Sequence, residues 1–286
     1  MSLLLGVVLG IICFVGFGLS DYFGALSSRK IGAFQSVIVS RIFSLTIMLV
    51  ILLAFFKLPS IAPITWALLA VTSLLLLLGY MCFYKGFKVG MVSIISPIAN
   101  SAVIITLVLA LLFLSYTLTT FEAVGIVLII VGTLLVSFEL KELKKLNFKI
   151  AVKGFWYAIG AMLFWGIGSF LVIILVDQLG WFVPIFLVYV FYFTYSVIYA
   201  ASRRVKFTKL RPALPITALT GILATIGFLA YSIGITLNYT LIVLVLLGAA
   251  PTLTVILALT RLKEKLEINH KLGVLLILVS LVLLSL

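Results

Sequence analysis

Apolar residues run through this chain in long blocks, broken at intervals by short clusters rich in Lys, Arg, Ser, Asn and Pro. Ten blocks can be marked, at about 2–27, 33–56, 63–85, 91–114, 119–138, 154–178, 182–202, 213–237, 239–260 and 268–286. Each is close to the ~20 apolar residues that a helix needs to cross hydrocarbon. The pattern predicts an all-α polytopic membrane protein with ten transmembrane helices. The first block has no basic start, is too long and precedes no small-residue cleavage pattern, so it reads as a span and not a cleaved leader.

The blocks repeat. Shifted by 148 residues, Gly79 meets Gly227, Gly86 meets Gly234, Leu118 meets Leu266 and Gly125 meets Gly273. The run Gly79-Tyr80-Met81-Cys82-Phe83 faces Gly227-Phe228-Leu229-Ala230-Tyr231. In the first block the matching offset is 150, pairing Gly10 with Gly160, Phe14 with Phe164, Gly16 with Gly166 and Gly18 with Gly168. The chain divides into a first five-helix repeat at 1–138, a basic linker at 139–153 and a second repeat at 154–286. Five spans is an odd number, so the second repeat enters the membrane from the opposite side. Such inverted repeats build one site near the midplane between two rocking halves.

Charge fixes the expected orientation. Eighteen of the 20 Lys and Arg fall in or beside the odd-numbered loops, Lys57 alone falls in an even one, and Arg41 lies inside the second block. The positive-inside rule places the odd loops in the cytoplasm and both chain ends outside a plasma (cytoplasmic) membrane. Only 9% of residues are charged and 65% are hydrophobic, with a mean hydropathy of +1.43. That balance excludes a cytosolic enzyme, a nucleic-acid binder and a disordered chain. The net charge of +13 therefore speaks for topology and anionic headgroups, with membrane lipids as partners. Cys13 and Cys82 lie inside apolar blocks and suggest neither disulfide nor metal.

Several motifs carry a resemblance. Each half starts with aromatic-glycine runs, Phe14-Val15-Gly16-Phe17-Gly18 and Phe164-Trp165-Gly166-Ile167-Gly168. Later come Pro251, then Glu264-Lys265-Leu266, then Gly273 opening the last block. In these the chain resembles the ten-span EamA-type branch of the drug/metabolite transporter superfamily. The first half departs from the pattern: Tyr116 stands where the glutamate would, and Pro97 lies six residues earlier than Pro251 at the 148 offset. The resemblance implies a secondary transporter, often an exporter of amino acids or other small metabolites, with a cavity lined by both halves.

Ionised groups inside hydrocarbon cost about 2.5–3.5 kcal/mol on insertion scales and persist when they face a cavity or a partner. Asp21 and Arg41 are the two that stand out, both about 9–12 Å in from the cytoplasmic side at 1.5 Å per residue. They either pair statically or line the path together. In the second case Arg41 takes a carboxylate or phosphate bidentately, and Asp21 holds the empty Arg41 or carries a coupling proton. Tyr189, Tyr192, Tyr195 and Tyr199 share one face of the seventh block. Tyr199 belongs to the interfacial belt, whereas Tyr189 and Tyr192 are deeper candidates for cavity or packing. Trp165 is also too deep for a belt, and Tyr231 completes the aromatic candidates. Asn100 follows Pro97, and Thr252 follows Pro251; both prolines free a carbonyl and are candidate kinks or gates. The pair Gly6 and Gly10 reads as close helix packing. Glu264 and Glu267 are expected to pair with Lys or Arg at little gain, and His270 is expected at the surface.

No Walker motif, metal-ligand cluster or nucleophile motif is present in the sequence, so neither an enzyme nor a cofactor is expected. The expected function is secondary active transport of a small amphiphilic metabolite by alternating access, most naturally export, coupled to protons or running by exchange. A sugar or nucleotide-sugar transporter would need more Asn, Gln and carboxylate in the spans. A lipid flippase or membrane enzyme would need polar residues opening sideways. No nucleic acid is expected, and the protein is read as a monomer or weak homodimer.

Overall fold

The computed structural model describes residues 3–57, 59–113, 120–137, 153–202, 204–205, 207 and 210–283. These form helices α1 (Leu3–Ile31), α2 (Ala33–Phe55), α3 (Pro63–Val89), α4 (Val92–Asn100), α5 (Ala102–Phe113) and α6 (Thr120–Ser137). The second half supplies α7 (Phe155–Leu179), α8 (Val183–Ser202), α9 (Leu210–Thr236), α10 (Thr240–Arg261) and α11 (Ile268–Leu283). Among the described residues seven helical stretches are long and apolar enough to cross a membrane, one of them the run Val92–Phe113 that joins α4 and α5. The protein is an integral multi-pass membrane protein. Most of the linker assigned to 139–153, and Tyr116, lie outside the described residues.

Polarity is turned inside out. Large apolar side chains such as Leu53, Phe55, Ile64 and Leu112 are exposed, while Ser36, Ser40, Ser44, Thr72, Ser73, Thr217 and Thr220 are fully buried. Lipid gives apolar side chains no reason to leave the surface, so helices associate through small residues and hydroxyl hydrogen bonds. Ser20 Oγ donates to the Thr220 carbonyl, 3.0 Å, and Ser44 Oγ to that of Gly221, 3.0 Å. Gly6 packs on Tyr239 and Gly10 on Leu246, where any Cβ would collide. The interruption near Pro97 falls at Ser101, between α4 and α5, whereas α10 passes through Pro251 without a break.

Contacts between the halves are reciprocal. A Cβ on Gly79 would strike Trp165, and one on Gly227 would strike Phe17. Likewise Gly166 meets Ala102 and Ile105, and Gly18 meets Ala250 and Leu253. Thr106 donates to the Gly166 carbonyl and Thr254 to the Gly18 carbonyl, at 3.0 and 2.9 Å. Each pair maps onto its twin by adding 148 to one partner and subtracting it from the other, the mark of a local two-fold relation. The structure therefore corrects the offset of 150 in the first span. Gly18 is the counterpart of Gly166, and the glycine spacing had drawn the alignment two residues out of register. α1 runs antiparallel to α9, with Cys13 beside Gly227 and Ser27 beside Thr217, and α3 runs antiparallel to α7, with Gly86 beside Tyr157 and Thr65 beside Gln178.

The end of the molecule bearing Arg29, Lys85, Lys88, Arg261 and Lys263, the basic side, is tied differently from the other. Glu264 is 9% exposed and accepts from Arg29 Nη2 at 3.0 Å, from the Val92 and Ser93 amides at 3.0 Å each, and from Ser93 Oγ at 2.7 Å. It thus satisfies orphan N–H groups at the start of α4 and opposes that helix's positive end. This corrects the reading of Glu264 as a weak surface pair. His270 is also buried, 3% exposed, because the first turn of α11 packs inward, where Asn269 Nδ2 donates to the Leu135 carbonyl of α6 at 3.1 Å. On the far side the closure is aromatic: Phe56 stacks on Phe182 at 4.2 Å and meets Trp181 edge-on.

Candidate functional site

A cavity of about 90 Å3 lies where the halves meet, near the middle of the long helices. It is several times the ~10–15 Å3 that one water needs. Its wall draws on equivalent positions of both halves: Phe17 and Trp165, Asp21 and Ser169, Tyr80 and Phe228, Asn100 and Gly248, each 148 apart. Tyr192 and Tyr231 complete the aromatic lining.

Asp21 reaches the cavity from α1 and is 5% exposed. Its Oδ2 accepts from Asn100 Nδ2 at 3.1 Å and from Ser96 Oγ at 3.3 Å. Asn100 can turn there because α4 ends at that residue; its amide also donates to the Ser96 carbonyl at 3.0 Å. Pro97 sits between these two donors, inside α4, three residues before the helix ends at Asn100.

Arg41 does not pair with Asp21. It lies on α2 just behind the cavity wall, 1% exposed, with its guanidinium 4.0 Å over the Tyr80 ring and 5.5 and 5.7 Å from the rings of Tyr189 and Tyr192. Nη1 donates to the Tyr189 hydroxyl at 3.5 Å, while Nε and Nη2 have no hydrogen-bond partner among the described residues. A desolvated cation–π contact contributes about 2 kcal/mol or more. Three faces of tyrosine therefore offset much of the ~2.5–3.5 kcal/mol that an arginine costs at this depth. The two ions point to different neighbours, Asp21 to α4 and Arg41 to α3 and α8.

Of the residues singled out in the sequence, Asp21, Asn100, Trp165, Tyr192 and Tyr231 line the cavity. Arg41 and Tyr189 stand behind it, and Thr252, half-buried on α10, is not on its wall. Tyr195 donates to the Ala70 carbonyl at 3.0 Å, and Tyr199 is 49% exposed against Phe34. Pro251 is buried within α10. Phe17, Tyr80, Ser169 and Phe228 were missed. The signal for two of them was on the page: the repeat alignment sets Tyr80 opposite Phe228, an aromatic facing an aromatic beside matched glycines. Three buried donors on this wall, Trp165 Nε1, Tyr192 OH and Tyr231 OH, have no partner among the described residues.

A membrane protein helical throughout its described spans, whose two similar halves enclose a largely aromatic and apolar chamber with a few polar groups, has the architecture of a transporter. The family is shown directly: the profile of the EamA-like transporter family matches residues 4–138 and again residues 152–286, and the chain belongs to that family. It is accordingly a membrane transporter of small solutes, a drug/metabolite transporter. The chain is similar to the "Uncharacterized protein MJ1333.1" of Methanocaldococcus jannaschii, 31% identical over 133 residues, which cover 46% of this chain and 95% of that relative. That relative is about as long as one half. A solved crystal structure shares the fold, with a TM-score of 0.64 at 15% identity over 96% of each chain.

Proposed function

We propose that the protein is a secondary active transporter that moves a small amphiphilic metabolite outward by alternating access. In this reading ten spans form two inverted five-span units, with the basic side in the cytoplasm and both chain ends outside. Rocking of the units breaks the Glu264 and Ser27–Thr217 ties on one side, or the Phe56–Phe182 stack on the other, while the wall between stays in place. Coupling is by protons or by exchange, and one chain suffices for the path.

The observation that carries this reading is the cavity itself, set near the middle of the long helices and lined by equivalent residues from both halves. A chamber on a two-fold relation sees the same packing from either side, which is what a carrier needs and a one-sided enzyme does not. The test is counterflow in liposomes with panels of amines, amino acids, organic acids and sugars, with and without a pH gradient. Saturable flux that depends on a solute on the opposite side is expected. Flux that rises linearly with concentration would mean a channel, and none for any panel member would end the proposal.

A further inference from the structure

We infer that the cavity takes an organic cation, with a protonated amine set against Asp21 and its carbon body between the rings; this rests on the carrier reading and deepens it. Among the described residues Asp21 is the one charged side chain on the cavity wall. Among the described residues only its Oδ2 is hydrogen-bonded, to Ser96 and Asn100, and no described cation lies within ion-pair distance of it. A buried carboxylate without a cationic partner is unfavourable in a medium of low dielectric, and a guest that brings a positive charge removes that penalty. Arg41 makes no direct ion pair or hydrogen bond with Asp21: its field reaches the carboxylate, but its guanidinium is held over Tyr80 and bonded to Tyr189, outside the lining.

The walls suit the same guest. Arg41 already occupies the rings of Tyr80 and Tyr192, but Trp165, Phe228 and Tyr231 carry no cation and line the same cavity as Asp21, with Phe228 6.1 Å from Tyr231 between centroids. Aromatic faces attract ammonium groups through the ring quadrupole. An anion has no comparable seat, since it would meet the charge of Asp21 with no cationic side chain on the wall to answer it. The unpartnered donors Trp165 Nε1, Tyr192 OH and Tyr231 OH call for an acceptor elsewhere on the solute, such as a hydroxyl or carbonyl.

Tyramine and 4-hydroxyphenylacetate share a body and differ in the charged end. Their binding to the purified full chain is measured by calorimetry, beside counterflow of each in liposomes. Tyramine is expected to bind at least tenfold more tightly than the acid. Asp21→Asn is expected to weaken tyramine at least tenfold with an unchanged melting temperature, and Asp21→Asn combined with Ser169→Asp to recover part of that loss by restoring a carboxylate at the equivalent wall position. Tighter binding of the acid, no binding of tyramine, or tyramine binding indifferent to Asp21→Asn in a folded protein would each overturn the inference. Binding of tyramine with no counterflow of tyramine or of any other panel member would leave the cation site standing and remove the carrier reading instead. Counterflow of other solutes with no tyramine binding would do the reverse.

Discussion

The two halves present the same positions to the cavity and different chemistry at those positions. Phe17 and Trp165 correspond, as do Tyr80 and Phe228, and there the halves agree on aromatic character. Asp21 corresponds to Ser169, Asn100 to Gly248 and Arg41 to Tyr189, and there every charge belongs to the first half. Packing follows the two-fold relation closely, down to matched Thr106 and Thr254 hydrogen bonds, while polarity departs from it. The difference separates two requirements. In the alternating-access reading, rocking would need equivalent contacts on both sides, which keeps backbone and glycine positions in step, and recognition would need a solute held in one orientation, which places the polar end on one side of the axis.

The sharpest way to break the comparison is at Arg41. Arg41→Met removes the charge and leaves Tyr80, Tyr189 and Tyr192 without the group that gathers them; counterflow should fall on the order of 30-fold, the rate equivalent of losing about 2 kcal/mol of cation–π attraction. Arg41→Lys keeps a point charge over Tyr80 and should recover part of that flux, so full recovery would show that the planar fork is irrelevant. Next come the twin glycines. Gly79→Val and Gly227→Val force a side chain into Trp165 and Phe17 respectively, and each should cost about 1–3 kcal/mol in detergent unfolding. Equal losses support symmetric packing; a variant that unfolds like wild type beside a crippled twin would break it.

A smaller effect is expected at the basic side. Glu264→Gln retains hydrogen bonds to the start of α4 but loses the charge that Arg29 and the helix end oppose, so about 1 kcal/mol of stability should disappear, read as a melting shift that high salt also produces in wild type. Tyr199→Leu, on the exposed end of the tyrosine face, should change counterflow less than twofold, whereas Tyr192→Leu on the cavity wall should reduce it at least tenfold.

Position along each helix was legible in the sequence, because block boundaries match most helix ends within a few residues, as in the block at 33–56 and α2 at Ala33–Phe55. Asp21 and Arg41 lie well inside α1 and α2, as the block boundaries placed them. Their pairing was not legible, since which neighbour a helix face meets is decided by packing with α4, α3 and α8, far away in sequence. The repeat was legible from glycines, but its register in the first span was not; frequent Gly permits alignments two residues apart, and the Gly18–Thr254 and Gly166–Thr106 contacts choose between them. His270 illustrates the same gap. Its position at the start of a block suggested water, and only the inward docking of α11 beside α6 buries it.

The contact between Arg41 and Tyr189 has one more consequence. Residues that are each other's counterparts and also touch must straddle the pseudo-axis, so a pair of identical half-length chains would bring two guanidinium groups face to face there. Joining the copies in a single polypeptide lets one seat keep arginine while the other becomes a phenol. Covalent fusion is thus what makes a lone cation at the centre of symmetry tolerable, and with it an uneven interior that no strict homodimer of this unit could build.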